Sequence, residues 1–229
     1  MIDTARPPPF FVADDLALDF LNCVAAPWKK EIEWLSDGQD LLSWLEHAHL
    51  VPTSVLADFK EKTGAEALNA VAAQARALRE WLRGFVAAHA GKALDASVLA
   101  ELDAINRLLA QDSRYQQIEA LNLSTQDLLA QSSSPANPET SKRGLYQQPY
   151  RHWHKPEDLL LVLAQAISNL ICNVGFEYVK NCEGPTCTLW FYDVSKNHTR
   201  RWCSMAVCGN RAKAAAHRAK KRSADAAAD

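Results

Sequence analysis

Four cysteines of this 229-residue chain are spaced to share one metal ion. They stand as Cys182-Glu-Gly-Pro-Thr-Cys187 and Cys203-Ser-Met-Ala-Val-Cys208, two matched pairs joined by a loop. Two short spacings with such a loop between them let four thiolates converge as a tetrahedron. Soft sulfur ligands and a closed four-coordinate shell favour one structural zinc ion. Gly184-Pro185 supplies a tight turn to wrap the first pair around it. Two disulfides would need an oxidising compartment, and simple burial would not arrange four cysteines in matched pairs. Burial does account for Cys23 and Cys172, each isolated in apolar surroundings. A zinc closed by four thiolates offers no position for water or substrate. No nucleophile elbow, phosphate-binding glycine loop, Cys-x-x-Cys pair or His-Glu-x-x-His motif occurs. These residues argue against an enzyme.

The charges point to a polyanion. The formal net charge is −2, yet residues 196–222 carry Lys196, Arg200, Arg201, Arg211, Lys213, Arg218, Lys220, Lys221 and Arg222 with no Asp or Glu. The acidic residues lie almost entirely in residues 1–195. A basic end on an acidic body implies a binding tip rather than a generally adhesive surface. After Cys208 runs an alanine-rich segment that favours helix, and Ser204 is a fitting N-cap. Cys208 would then lie in the first turn, where the helix dipole favours a thiolate. At 3.6 residues per turn Arg211, Arg218 and Arg222 share one face, and Lys213, His217 and Lys220 share another. Four thiolates on zinc leave a formal 2− charge, so Arg200, Arg201 and Arg211 either offset it or meet a phosphate. The whole set reads either as a solvated helix or as a phosphate-tracking one, and double-stranded DNA is the expected partner. Lys196 and His198 occupy a hairpin tip that would touch a backbone phosphate. Trp190, Tyr192 and Trp202 serve more readily as the small core of the finger than as platforms for bases. A single finger holds DNA weakly, so a homodimer is expected. An interaction module for protein or RNA is the alternative, and an enzyme in the N-terminal part a third.

Residues 200–213, Arg-Arg-Trp-Cys-Ser-Met-Ala-Val-Cys-Gly-Asn-Arg-Ala-Lys, resemble the signature of the CGNR zinc finger, named for Cys208-Gly209-Asn210-Arg211. Leu16-Ala-Leu-Asp-Phe-Leu-Asn22 resembles the opening motif of the ABATE domain, which precedes that finger in bacterial proteins. The resemblance implies a bacterial, stress-responsive transcription regulator. The chain departs from the family pattern at Val194, where a basic residue is expected after Asp193.

These residues need elements to place them. Residues 10–22 read as an extended segment turning into a short helix near Leu16, ended by Pro27 and followed by a loop over 28–34. Asp37 caps a helix through Leu41, Leu42 and Leu45 toward His49. Pro52-Thr53 opens a short helix that Gly64 closes. Residues 66–89 form a long one, with Arg76, Arg79 and Arg83 on one face and Gly91 as its stop. Asp95 caps a further helix with Leu99, Leu102, Ile105, Leu108 and Leu109 facing inward. Residues 115–121 and 144–153 read as neighbouring strands, separated by a loop over 131–141. Pro156 starts an apolar helix that reaches Val174 and is expected at the centre of the core. In the finger, residues 176–180 and 189–193 are strands, 195–198 a turn and 200–202 a returning strand. Knuckle, hairpin and helix in that order are treble-clef-like.

The fold class is therefore α+β: a mostly helical, sensor-like N-terminal domain over 1–178, then a four-cysteine finger with a basic helix over 179–224. So small a finger buries little apolar surface, and zinc binding would supply on the order of 10 kcal/mol of its stability. Asp19 and Asn22 are polar in an apolar run. They either satisfy backbone groups at the turn into the helix or line a pocket for a small-molecule effector that controls the finger. His47-Ala-His49 and His152-Trp-His154 are spaced for a metal on a strand, each a weak pair alone. Residues 1–9 lack the apolar core of a signal peptide, and the apolar run 159–174 is short for a membrane span. The expected location is cytoplasmic, which suits reduced thiols.

Overall fold

The computed structural model describes residues 6–26, 31–120 and 144–226, with side chains described as far as Ala219. Pro27, the loop over 131–141 and the side chains of Lys220, Lys221 and Arg222 lie outside the described residues. Met1–Ala110 and Lys155–Asp229 form one compact unit, and Gln111–His154 form a second.

The first unit is built on helix α6, Leu159–Asn173, which the sequence placed at the core centre. Pro156 sits in the turn that leads into it, and Leu159 through Ala164 are all buried, with Ala166, Ile167 and Leu170; Cys172, expected to be buried, is exposed. A helix apolar on most faces must be surrounded. It is packed by α1 (Leu16–Leu21), α4 (Ala65–His89) and α5 (Asp103–Leu109). Helix α2, Gly38–His47, starts at Asp37, whose carboxylate accepts from the Asp40 N–H at 2.9 Å. It crosses α4 closely, because a Cβ at Gly38 would stand 2.3 Å from that of Leu68. Helix α3, Thr53–Lys62, packs on α2. Gly91, at φ +80, takes the left-handed turn just beyond α4.

The three arginines on the polar face of α4 hold the segment that follows α1. Arg76 donates to the carbonyls of Leu35 and Ser36, and Arg83 to that of Leu21. Arg79, 3% exposed, makes a bidentate pair with Glu33 at 2.8 Å and also reaches Cys23 Sγ at 3.2 Å. Burial alone would lower the Arg79 pKa; the bonds to Glu33, Cys23 and Glu80 outweigh it and raise it. That grip orders Ile32–Glu33 as β2, paired antiparallel with Val24–Ala25 (β1), where the sequence suggested only a loop.

The stretch after Asp95 differs from expectation. Residues Ala96–Leu102 wind as a 3-10 helix before α5 begins. Three residues per turn instead of 3.6 shifts the phase of the apolar stripe. Val98 and Ile105 are buried as a result, and Leu99 is 58% exposed.

The described residues of the second unit pair β3, Arg114–Ala120, antiparallel with β4, Leu145–Arg151, the two strands the sequence predicted. Asp112 ties its base through a bidentate pair with Arg151 at 2.7 and 2.8 Å. Tyr115 stacks on Tyr150 and His152, and His152 on His154.

Candidate metal centre and nucleic-acid interface

The finger begins where β5, Val179–Asn181, pairs antiparallel with β6, Trp190–Tyr192. The first knuckle, Cys182 to Cys187, is the turn between these two strands. Among the described residues its hairpin partner is thus β5, and residues 200–202 do not form the returning strand expected of them. Their course is set instead by the Arg200 side chain and by one backbone bond from Glu183 N–H to the Arg201 carbonyl at 2.9 Å.

All four cysteines are buried, and their sulfurs lie within 4.8 Å of one another. Cys203 Sγ stands 3.8 Å from Cys187 Sγ and 3.7 Å from Cys208 Sγ. Sulfurs bound at about 2.3 Å to one tetrahedral zinc are about 3.8 Å apart, whereas a disulfide is about 2.05 Å long. The spacing is that of ligands around an ion. Gly184 and Cys203 N–H groups donate to Cys182 Sγ at 3.5 and 3.3 Å. A Cβ on Gly184 would stand 3.0 Å from Cys187 Cβ and 3.1 Å from Cys208 Sγ, so any larger residue would press on two of the ligands.

Thiol bonds from Cys187 and Cys203 pull Cys182 down to about 2. The same bond to Cys182 pushes Cys187 up to about 12, and Cys203 is pushed up likewise. Burial, then the charge on Cys182, raises Cys208. Four sulfurs this close compete for charge, a donor set that a divalent cation completes by displacing their protons. The finger holds one structural zinc ion.

Ser204 takes an extended conformation, and residues Met205–Gly209 form a wide π turn closed by Gly209 N–H to the Ser204 carbonyl at 3.1 Å. Cys208 lies in that turn, as the sequence indicated. Helix α7, Asn210–Ala226, continues it.

The cations divide by use. All five N–H groups of Arg200 find protein acceptors. They are the carbonyls of Trp202, Tyr192, Val12 and Cys203 and the carboxylate of Asp14. Its guanidinium also lies 4.2 Å over the Phe191 ring. Arg201 is bound by Glu183 at 2.5 and 2.6 Å, lies over Trp202 and is 60% exposed. Lys196, Arg211, Lys213 and Arg218 are exposed.

Asp193, absent from the expected sites, organises the loop. Fully buried, it accepts from Lys180 Nζ at 2.7 Å, Ser195 Oγ at 2.6 Å, and the N–H groups of Ser195 and Arg200. Burial alone would raise its pKa; these donors outweigh it and hold Asp193 at about 2. Lys180 Nζ also reaches the His198 carbonyl, and the His198 ring stacks 3.5 Å from Tyr178. Its sequence signal was an acid beside Val194-Ser195 in an otherwise basic stretch.

Asp19 and Asn22 both serve backbone groups. Asp19 Oδ1 accepts from Val12 and Ala13 N–H at 2.9 and 3.0 Å. Asn22 donates to the Trp190 carbonyl at 2.8 Å and accepts from the Trp190 N–H at 2.9 Å. With the Tyr192 N–H to Ala13 carbonyl bond at 2.7 Å, these contacts seat β6 along α1, Tyr192 beside the residues that lead into the helix and Trp190 at its C-cap. A cavity of about 170 Å³ lies elsewhere, lined by Pro7, Pro8, Pro9, Trp34, Ser43 and Trp44 among others. A larger groove of about 790 Å³ runs between the first knuckle and α7. His47 Nδ1 lies 2.7 Å from the Ser43 carbonyl.

Among the described residues no helix is long and apolar enough to cross a membrane. In comparison with known proteins, residues 178–221 match the model of the CGNR zinc finger. Residues 14–173 match that of ABATE, described as "Putative stress-induced transcription regulator". No curated protein matches the chain.

Proposed function

This chain belongs to the ABATE family, with a CGNR zinc finger over residues 178–221, and from that premise we propose that it is a zinc-dependent DNA-binding transcription regulator. The observation that carries the reading is the sulfur cluster joined directly to a helix whose sequence holds no acidic residue before Asp225. Zinc fastens the start of α7 to the knuckle, and α7 then presents its cationic surface, Arg211 and Arg218 on one face and Lys213 on another, as a site for a polyanion. Neutralising duplex phosphates releases condensed counterions, which makes affinity fall steeply with salt. Lys196, exposed in the loop after β6, adds to the cationic surface, and Lys220, Lys221 and Arg222 follow Arg218 in the sequence. Arg200 supports it from behind by fixing the second knuckle to residues 12–14.

A stress signal is what the family description supplies, and a small-molecule effector or a homodimer would be the means of transmitting it. The test is titration of a random-sequence duplex with zinc-loaded protein at several salt concentrations. Binding should weaken by about 10³-fold or more between about 50 and about 200 mM salt if six or more phosphates are met. Arg218→Ala with Lys220→Ala and Lys221→Ala should abolish it. Salt-insensitive binding to a protein partner, without DNA affinity, would replace this reading with that of an interaction module.

A further inference from the structure

The groove between the first knuckle and α7 lies on one of the two cationic faces of that helix. Its walls include Pro185, Trp202, Ala212 and Ala215, all apolar, with Arg211 and Arg218 on the helix side and Arg201 on the knuckle side. Arg211, Ala215 and Arg218 are four and three residues apart, so they share one face of α7. Lys213, exposed, is not among the lining residues and lies about 160° around the helix from Arg211. The only acid on the wall is Glu183, already bound to Arg201.

We infer that this groove seats the sugar–phosphate backbone of one DNA strand, so that the arginine face of α7, not the Lys213 face, lies against the nucleic acid. The inference rests on the DNA-binding reading above. A sugar–phosphate strand alternates an apolar ring with an anionic group, which matches apolar walls rimmed by arginine. Nine cations over residues 182–222 face two carboxylates and the 2− charge of the zinc–thiolate centre, so the surroundings stay positive. A cleft with apolar walls and one sign of charge focuses its field on a bound anion. From Arg211 to Arg218 the helix rises about 10 Å, the axial length of about three nucleotides of one strand. Cys187 and Cys208 also line the groove, so its two walls are held at their separation by shared zinc ligands.

A substitution that fills the groove without changing charge tests this. Ala215→Trp occupies the groove, and Ala216→Trp places the same bulk about 100° away, at a position absent from the lining. Both are assayed by anisotropy on a labelled random-sequence duplex, after elemental analysis shows one zinc per chain. Ala215→Trp should weaken binding by about tenfold or more and reduce the salt slope by about one to two, the loss of one or two phosphate contacts. Ala216→Trp should stay within about twofold of the unsubstituted chain. Full binding by Ala215→Trp, or an equal loss in Ala216→Trp, overturns the groove assignment while leaving DNA binding intact. An unsubstituted chain that shows no salt-dependent binding overturns the DNA reading itself, and an acidic peptide partner for the groove would then show as capture that Ala215→Trp abolishes.

Discussion

Asp19 shows how one buried carboxyl can be both necessary and costly. It is 5% exposed and accepts two backbone N–H groups that hold Val12 and Ala13, the residues whose carbonyls receive Arg200 and Tyr192. Burial pushes its pKa up to about 6, and the bonds from Ala13 and Val12 restrain the rise. An unfolded aspartate titrates near about 3.9. Folding therefore binds a proton, so the contribution of Asp19 to stability is fully present below about pH 4 and is lost as pH rises through about 6. Asp19→Asn keeps the acceptor oxygen and cannot ionise. Its stability relative to the unsubstituted chain should increase between about pH 5 and about pH 8, by on the order of 1–1.5 kcal/mol. Urea midpoints of the two zinc-loaded proteins at both pH values check this, because the acid lability of the thiolates is common to them. A difference that stays flat with pH would show that Asp19 ionises as freely folded as unfolded.

At the scale of elements, α1 and β6 are joined through one amide. Asn22 pairs with both the N–H and the carbonyl of Trp190, which lets a helix end continue the edge of a strand. Replacing it with alanine leaves two part-buried backbone groups of Trp190 without the Asn22 amide, at a cost of about 1 kcal/mol or more each. Asn22→Ala should lower unfolding stability by about 2 kcal/mol or more with the zinc stoichiometry unchanged. A loss below about 0.5 kcal/mol would mean the joint is held by Arg200 and Tyr192 alone. The polarity of Asn22 within Leu16-Ala-Leu-Asp-Phe-Leu-Asn22 was legible, and its partner was not, since Trp190 lies 168 residues away. The misread strand at 200–202 has a similar cause: local alternation proposes a strand, and the availability of an unpaired edge decides it.

For the whole molecule, zinc organises the finger while an apolar core organises the helices. Chelating the metal should collapse the arrangement of residues 182–209 and shift the emission of Trp190 and Trp202. Most helical signal should persist, because α2, α4 and α6 bury Leu, Val, Phe and Trp side chains that do not depend on the sulfurs. DNA binding should vanish with the metal and return on adding zinc. Unchanged fluorescence and binding in protein shown by elemental analysis to be zinc-free would remove the metal from the account. Sequence by itself determined what is local: the matched cysteine pairs, the capped amphipathic helices, the apolar helix at 159–173 and the separation of charge. Those follow from residue type and spacing over a few turns, which backbone geometry translates directly into faces and ligands. Only the tertiary structure decided which cations remain available and which face of α7 borders the groove. Arg200 is consumed within the fold and Arg218 is not at the same sites, because the acceptors Val12, Asp14 and Cys203 reach Arg200 only when distant segments pack. A guanidinium in a sequence carries its charge but not its neighbours.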